Sequence, residues 1–344
     1  MPALLSSLER PFIANLEVTS QCNLACTFCS AQLAKFRRDD LPTDLILQVI
    51  ARIAEDGVRS IFLTGGEPLL RQDIPLIIRE CVSRGMDVSL STNGTEASSE
   101  LAASLAAAGL EELQVSIHAP DSTHDRLVGC TGALDRGLAG LQNLVGAGLV
   151  VTVAAVATRA NYPRLPRLAE RVARLGAKHF RVLRLMPHSP EMLRQVVPHR
   201  QMQALVKRLA RIGQGSAGLS VDVHAPPGFL DPLSHDPGEY AILHPLCHTC
   251  TAGKLSMGIM SNGDCVPCLE LKDPEFACGN TLRDSLTTIW DARPMSLLRR
   301  ATPDRYCGKC GKCELRWTCY SARCVAHHLR GDILGDDDSC YRLS

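Results

Sequence analysis

The feature that most restricts this chain's fold is an alternation of short apolar segments with amphipathic ones, repeated six times between residues 13 and 213. Apolar, β-branched runs predict strands over 13–19, 60–64, 87–91, 112–118, 150–158 and 178–185. Helical periodicity predicts helices over 43–56, 74–84, 97–108, 134–146, 162–175 and about 200–212. Thr43 fits an N-cap, and Gly57, Gly109 and Gly176 fit helix stops. Strands separated by helices form a parallel sheet with helices outside, which is the α/β class. Six units cannot wind as far as eight, so the expected architecture is a partial (β/α)6 barrel.

The rest of the chain follows other rules. Residues 1–12 read as an N-terminal extension and 13–213 as the barrel. Gly213, Gly215 and Gly218, then Pro226, Pro227, Pro232, Pro237 and Pro245, break all periodicity, so 214–245 reads as a linker. Residues 246–344 are cysteine-rich, with few long periodic segments, and read as a small metal-held domain. At 344 residues, with 45% hydrophobic and 21% charged residues, the chain has a globular profile. A formal net charge of +1 excludes a strong electrostatic footprint for nucleic acid or anionic lipid. No apolar run reaches the roughly 18 residues of a membrane span. The first residues lack the basic start and small-residue cleavage site of a signal peptide, so the expected location is cytoplasmic.

The 16 cysteines are unevenly placed: Cys22, Cys26 and Cys29 together, Cys81 and Cys130 alone, and eleven between Cys247 and Cys340. In a reducing compartment such clusters are metal ligands or redox groups rather than disulfides. The first expected strand runs into Cys22-x3-Cys26-x2-Cys29. Zinc usually takes four ligands in two close pairs. Three thiolates in one tight loop instead suit a [4Fe–4S] cluster with one iron left open. After the second strand come Gly65-Gly66-Glu67-Pro68. Glycines let a ligand approach the backbone and Glu67 can accept from an ammonium group, although a plain turn with a surface acid has the same sequence. Ser91-Thr92-Asn93-Gly94 follows the third strand.

Taken in this order, the C-x3-C-x2-C loop with Phe28 before its last cysteine, Gly-Gly-Glu-Pro and Ser-Thr-Asn-Gly resemble the radical S-adenosylmethionine (radical SAM) superfamily over roughly residues 13–185. The resemblance implies that Cys22, Cys26 and Cys29 hold the cluster, whose open iron chelates SAM. It implies that Phe28 lies near the adenine, that Gly65, Gly66 and Glu67 hold the methionine amino end, and that Ser91, Asn93 and Ser116 reach the ribose or carboxylate. The implied chemistry is reductive cleavage of SAM to a 5′-deoxyadenosyl radical, which takes a hydrogen atom from substrate, with a low-potential electron donor such as flavodoxin or ferredoxin.

Strand parity points the same way. Leu16, Val18, Val88, Leu90, Val115 and Ile117 take the helix-facing positions. Asn15, Glu17, Thr19, Ser89, Ser91, Asn93, Gln114, Ser116 and His118 then face the lumen. A structural barrel core is filled with Val, Ile and Leu instead. At the last strand Arg184 reads either as a grip for a substrate carboxylate or phosphate or as a rim salt bridge. His118 reads as a substrate contact or a satisfied structural histidine, and Arg126 as a SAM contact or an exposed side chain.

In the tail, Cys247-x2-Cys250 and Cys265-x2-Cys268 have zinc-ribbon spacing. The longer order, Cys250-x12-Gly263-x4-Cys268 followed by Cys310-x2-Cys313-x5-Cys319-x4-Cys324 and Cys340, resembles the SPASM extension of radical SAM enzymes. The last spacing in the third group is x4 where that family has x3. The resemblance implies two auxiliary [4Fe–4S] clusters, one on Cys247, Cys250, Cys268 and Cys324 and one on Cys310, Cys313, Cys319 and Cys340. Cys265, Cys278 and Cys307 are left over. The expected function is a radical SAM oxidoreductase. About 12 residues precede the first strand, which favours a small metabolite that is dehydrogenated, epimerised or decarboxylated. A peptide-modifying maturase and a non-catalytic electron carrier are the alternatives.

Overall fold

The computed structural model describes residues 8–30, 39–215, 218–224, 250–317, 319 and 322–342. The strands and helices β1 Ile13–Thr19, α1 Thr43–Glu55, β2 Ser60–Gly65, α2 Ile74–Ser83, β3 Asp87–Thr92, α3 Ser99–Ala107 and β4 Glu112–Ser116 succeed one another. A short α4, Thr123–Val128, precedes α5, Ala133–Gly146. Then come β5 Val150–Ala157, α6 Leu165–Arg174, β6 His179–Arg184, α7 Pro190–Leu193 and α8 His199–Gly215. Helix α3 starts two residues later than expected because Ser98 caps it, its hydroxyl accepting from the Leu101 N–H at 3.1 Å. The helix expected over 162–175 opens as a 3-10 turn, Tyr162–Arg164, because Pro163 and Pro166 supply no N–H there.

Two departures matter for the site. Ser220–Val223 forms β7, parallel to β6, inside the stretch read as a linker. At four residues after a glycine it is too short for periodicity to reveal, but Val223 is fully buried. The cysteine-rich region also does not stand apart. Its β8, Ser256–Ile259, pairs in parallel with β1 (Leu16 opposite Ile259), and β9, Asp264–Val266, and β10, Gly279–Asn280, follow antiparallel. The result is one ten-stranded sheet in the order β10-β9-β8-β1-β2-β3-β4-β5-β6-β7. The last helices are α9 Leu286–Asp291, α10 Arg293–Arg299, α11 Gly308–Lys312 and α12 Arg323–Arg330.

Apolar alternates of the parallel strands (Leu16, Leu63, Leu90, Val115, Phe180, Val182) bury against Ile46, Ile50, Ile77 and Leu141 of the helices. Cys265, Cys278 and Trp290 belong to this same core, so both regions share it. On the other face of the strands polar side chains pair. Asn15 Nδ2 donates to the Met257 carbonyl (3.2 Å), Gln114 Nε2 to Ser91 Oγ (3.4 Å), and Arg181 Nε to Asp222 Oδ1 of β7 (2.9 Å). Glu17 forms a buried ion pair with Lys272. No helix among the described residues is long and apolar enough to cross a membrane.

Candidate active site and auxiliary metal centres

The three-cysteine loop leaves the C-terminal end of β1 and is held from three sides. Asp40 accepts from Thr19 Oγ1 (2.5 Å) and Ser20 N (2.8 Å). Ala25 N and Thr27 N donate to the Val128 and Leu127 carbonyls at the end of α4, each at 2.9 Å. Gly129 there has φ +66°, and a Cβ on it would lie 2.9 Å from the Ala25 carbonyl oxygen. The three sulfurs are close enough to perturb one another. Burial, then the Cys29 and Cys22 thiols, push Cys26 up to about 12, and burial raises Cys22 as well. Thiols gathered this way are poor thiolates by themselves, and they become ligands only when a cation neutralises them.

The Gly-Gly-Glu turn abuts that loop. Gly66 N donates to the Thr19 carbonyl (2.8 Å) and Glu67 N to the Gln21 carbonyl (2.7 Å). A Cβ on Gly65 would stand 2.3 Å from the Thr19 carbonyl oxygen, and one on Gly66 would stand 2.0 Å from that of Gln21. The main chain of the cysteine loop therefore leaves no room for a side chain at either position. Glu67 is no surface acid either, being 1% exposed. Its Oε1 accepts from Leu69 N (3.0 Å) and Thr92 Oγ1 (2.5 Å), and its Oε2 accepts from Asn93 N (2.7 Å). Burial raises its carboxyl above the usual range although these three donors oppose it. A carboxylate has about four lone-pair sites, and these donors take three of them.

Asn93 is fastened by two neighbours: its Nδ2 donates to Asn23 Oδ1 (2.9 Å), and its Oδ1 accepts from Thr95 Oγ1 (2.7 Å). Asn23, inside the cysteine loop, also donates to Glu96 Oε1 (2.8 Å). Sequence reasoning missed this link, which no motif encodes. Ser91 and Ser116 are half-buried at the ends of β3 and β4. Phe28 packs edge-on to His118, with ring centroids 4.8 Å apart. His118 is structural: its Nδ1 accepts from Val156 N (3.2 Å) and burial drives its pKa down to about 3. Arg126 is occupied locally, donating to Ser122 Oγ (3.1 Å) and Thr123 Oγ1 (2.9 Å). Arg184 is not on a rim; its side chain is 9% exposed and its NH1 lies 3.7 Å from Asp337 Oδ2.

The tail cysteines sort into two groups. Cys324 is raised by burial and then by the Cys268, Glu270 and Cys250 charges, and Cys268 also feels Cys250. Cys340, pushed up to about 12, feels Cys319 and Cys310. Three members of each expected set therefore converge, with Cys324 in its group despite the x4 spacing. Cys313 follows Cys310 in the same turn, its N–H donating to the Cys310 carbonyl at 3.2 Å. Cys247 lies outside the described residues. The zinc-ribbon reading fails on Cys265, which is fully buried in β9 and has Cys278, not Cys268, as its thiol neighbour. Cys307 is exposed. The two cysteine regions are joined: Ser30, directly after Cys29, donates to Glu270 Oε1 (2.8 Å), and Glu270 N points at Cys268 Sγ (3.5 Å).

The Radical SAM superfamily model matches residues 16–172, and the SPASM iron-sulfur cluster-binding domain model matches residues 250–314. PqqA peptide cyclase of Methylobacterium sp. (strain 4-46) is 28% identical, over 99% of this chain and 88% of that protein. AdoMet-dependent heme synthase of Methanosarcina barkeri (strain Fusaro / DSM 804) is also 28% identical, over 98% of this chain and 99% of that protein. Among solved structures, Streptococcus suis SuiB bound to S-adenosylmethionine superposes with a TM-score of 0.75 at 20% identity, covering 92% of this chain and 74% of SuiB. That likeness concerns the fold alone.

Proposed function

Because the chain belongs to the radical SAM superfamily and carries a SPASM iron–sulfur region, we propose that it is an oxidative radical enzyme whose substrate is a peptide. The observation that carries the radical reading is the convergence of Cys22, Cys26, Cys29, the Gly65-Gly66-Glu67 turn and Asn93 at the C-terminal ends of β1, β2 and β3. A cluster held by Cys22, Cys26 and Cys29, with SAM beside it, would supply the radical hydrogen-abstraction chemistry that belongs to the cofactor.

The chain's residues hold and orient. Cys22, Cys26 and Cys29 hold three irons. Glu67 has one lone-pair site left for the methionine ammonium, and its other three bonds fix its orientation. Phe28 would pack on the adenine ring, and Ser91, Asn93 and Ser116 would offer hydroxyl and amide groups to ribose and carboxylate. Cys247, Cys250, Cys268 and Cys324 hold one auxiliary cluster, and Cys310, Cys313, Cys319 and Cys340 the other. Clusters held by four cysteines each would supply one-electron transfer, the chemistry needed to turn a substrate radical into an oxidised product. A low-potential donor such as flavodoxin or ferredoxin delivers the first electron.

The peptide assignment draws support from the likeness to PqqA peptide cyclase across nearly the whole chain. A small metabolite is the second reading, favoured by equal identity to AdoMet-dependent heme synthase. Anaerobic turnover with SAM, dithionite and deuterated peptide or metabolite pools separates them, because 5′-deoxyadenosine acquires deuterium from the true substrate. Transfer from metabolites alone overturns the peptide assignment. The holoenzyme is expected to hold about 12 irons, as three clusters of four. Replacing Cys22, Cys26 and Cys29 with Ala should remove about four of them and all SAM cleavage; retained cleavage sinks the radical reading.

A further inference from the structure

Beside the first auxiliary cysteine group lies a set of side chains that the radical chemistry does not use. Asp273, His327 and His328 each present one ligand atom within 4.8 Å of the other two. His327 Nε2 stands 3.4 Å from Asp273 Oδ2 and 3.5 Å from Glu275 Oε1. Charge-assisted N–H···O bonds run to about 2.7–2.9 Å, so both contacts are long for ion pairs. The Asp273 contact matches the edge of a zinc tetrahedron instead. With metal–ligand bonds of about 2.0–2.2 Å, neighbouring ligand atoms sit about 3.3–3.5 Å apart.

The surrounding contacts suit ligation. His328 Nε2 is 2.7 Å from the Glu270 carbonyl oxygen, which places the proton on Nε2 and leaves Nδ1 as the basic atom. A backbone carbonyl on the far nitrogen is the usual support of a metal-binding histidine. Phe276 packs edge-on to His327 at 4.8 Å and fixes that ring. His188, whose ring centroid is 6.3 Å from that of His328, has a buried Nδ1 with no hydrogen-bond partner among the described residues.

We propose that Asp273, His327 and His328 form a three-residue, zinc-class divalent-cation site separate from the iron–sulfur centres. Two neutral imidazoles and one carboxylate are donors that zinc accepts, and three protein ligands leave its fourth position to water. Asp273 lies five residues after Cys268 and His327 three after Cys324, so the ion would clip together the two segments that present those cysteines.

The test uses anaerobic holoenzyme with its full iron complement, incubated with a small excess of zinc chloride, desalted and assayed for zinc and iron. About one zinc per chain is expected in the wild type, and at least tenfold less in Asp273→Asn and His327→Gln, with iron unchanged. Zinc-edge X-ray absorption should show nitrogen and oxygen neighbours. The proposal is overturned if the wild type keeps no zinc, if both variants keep as much, if iron falls with zinc in Asp273→Asn, or if sulfur appears around the zinc.

Discussion

Gly66→Ala tests whether the Gly-Gly-Glu turn is shaped by the cysteine loop. The added Cβ would lie 2.0 Å from the Gln21 carbonyl oxygen and 2.4 Å from its carbon. Both are main-chain atoms, so no rotamer relieves the overlap and the two segments must separate by more than an ångström. Separation breaks Gly66 N to Thr19 O and Glu67 N to Gln21 O. Each bond contributes about 1 kcal/mol. Residual overpacking adds about 1–3 kcal/mol, for a total cost of about 3–5 kcal/mol. Cys22 follows Gln21 directly, so the displacement is transmitted to the first cysteine of the loop. Urea denaturation should show the loss of stability, and iron per chain should fall by about four. Gly146→Ala is the control: nothing lies within 4 Å of a Cβ there, and its stability should be unchanged or raised by about 0.5–1 kcal/mol. A Gly66→Ala protein within about 0.5 kcal/mol of wild type, with full iron, refutes the reasoning.

Other outcomes follow from the same geometry. Cys265→Ala should keep all the iron, whereas Cys324→Ala should lose about four atoms; equal iron in the two proteins would restore the ribbon reading. Lys272→Met strands the buried Glu17 carboxylate and should cost about 3–5 kcal/mol in urea denaturation. Adding Glu17→Gln should recover most of that, and a double variant no better than the single would contradict the pairing. Burial also holds His118 near 3 and His124 near 4, both below the ordinary 6.5. Such depressed histidines give full stability above about pH 6.5, and it is lost as pH falls and the unfolded chain takes up the protons. Between pH 7.5 and 6 the pair should cost about 1–2 kcal/mol, and His118→Gln should remove roughly half of that pH dependence. A pH-independent wild type over this range would contradict the assignment.

Much of this was readable from order and period. Strand parity separated Leu16 and Val18 from Asn15 and Glu17 because burial on one face and polarity on the other leave a period of two. Motif order located Cys22, Glu67 and Asn93 at neighbouring strand ends because consecutive parallel strands lie side by side. What escaped depends on contacts remote in sequence. β8 is four residues with a glycine, and its partner β1 lies some 240 residues away. The Asp273–His327 grouping joins residues more than fifty apart, and adjacent histidines on a helix carry no ligand-spacing signal. That the main chain of the cysteine loop also lies against Gly65 and Gly66 is not visible in the sequence, because the contact joins segments more than forty residues apart. β7 was lost among glycines that mark breaks more often than strands.

The pairing of β8 with β1 makes the cysteine-rich region hard to excise. Cutting the chain ahead of it would strip one whole side of the strand that feeds the radical loop, leaving bare N–H and C=O groups along an apolar edge. Such an edge recruits other chains. A truncated barrel would therefore be a sticky fragment with an unsupported first strand, and the auxiliary region doubles as the hem that finishes the sheet.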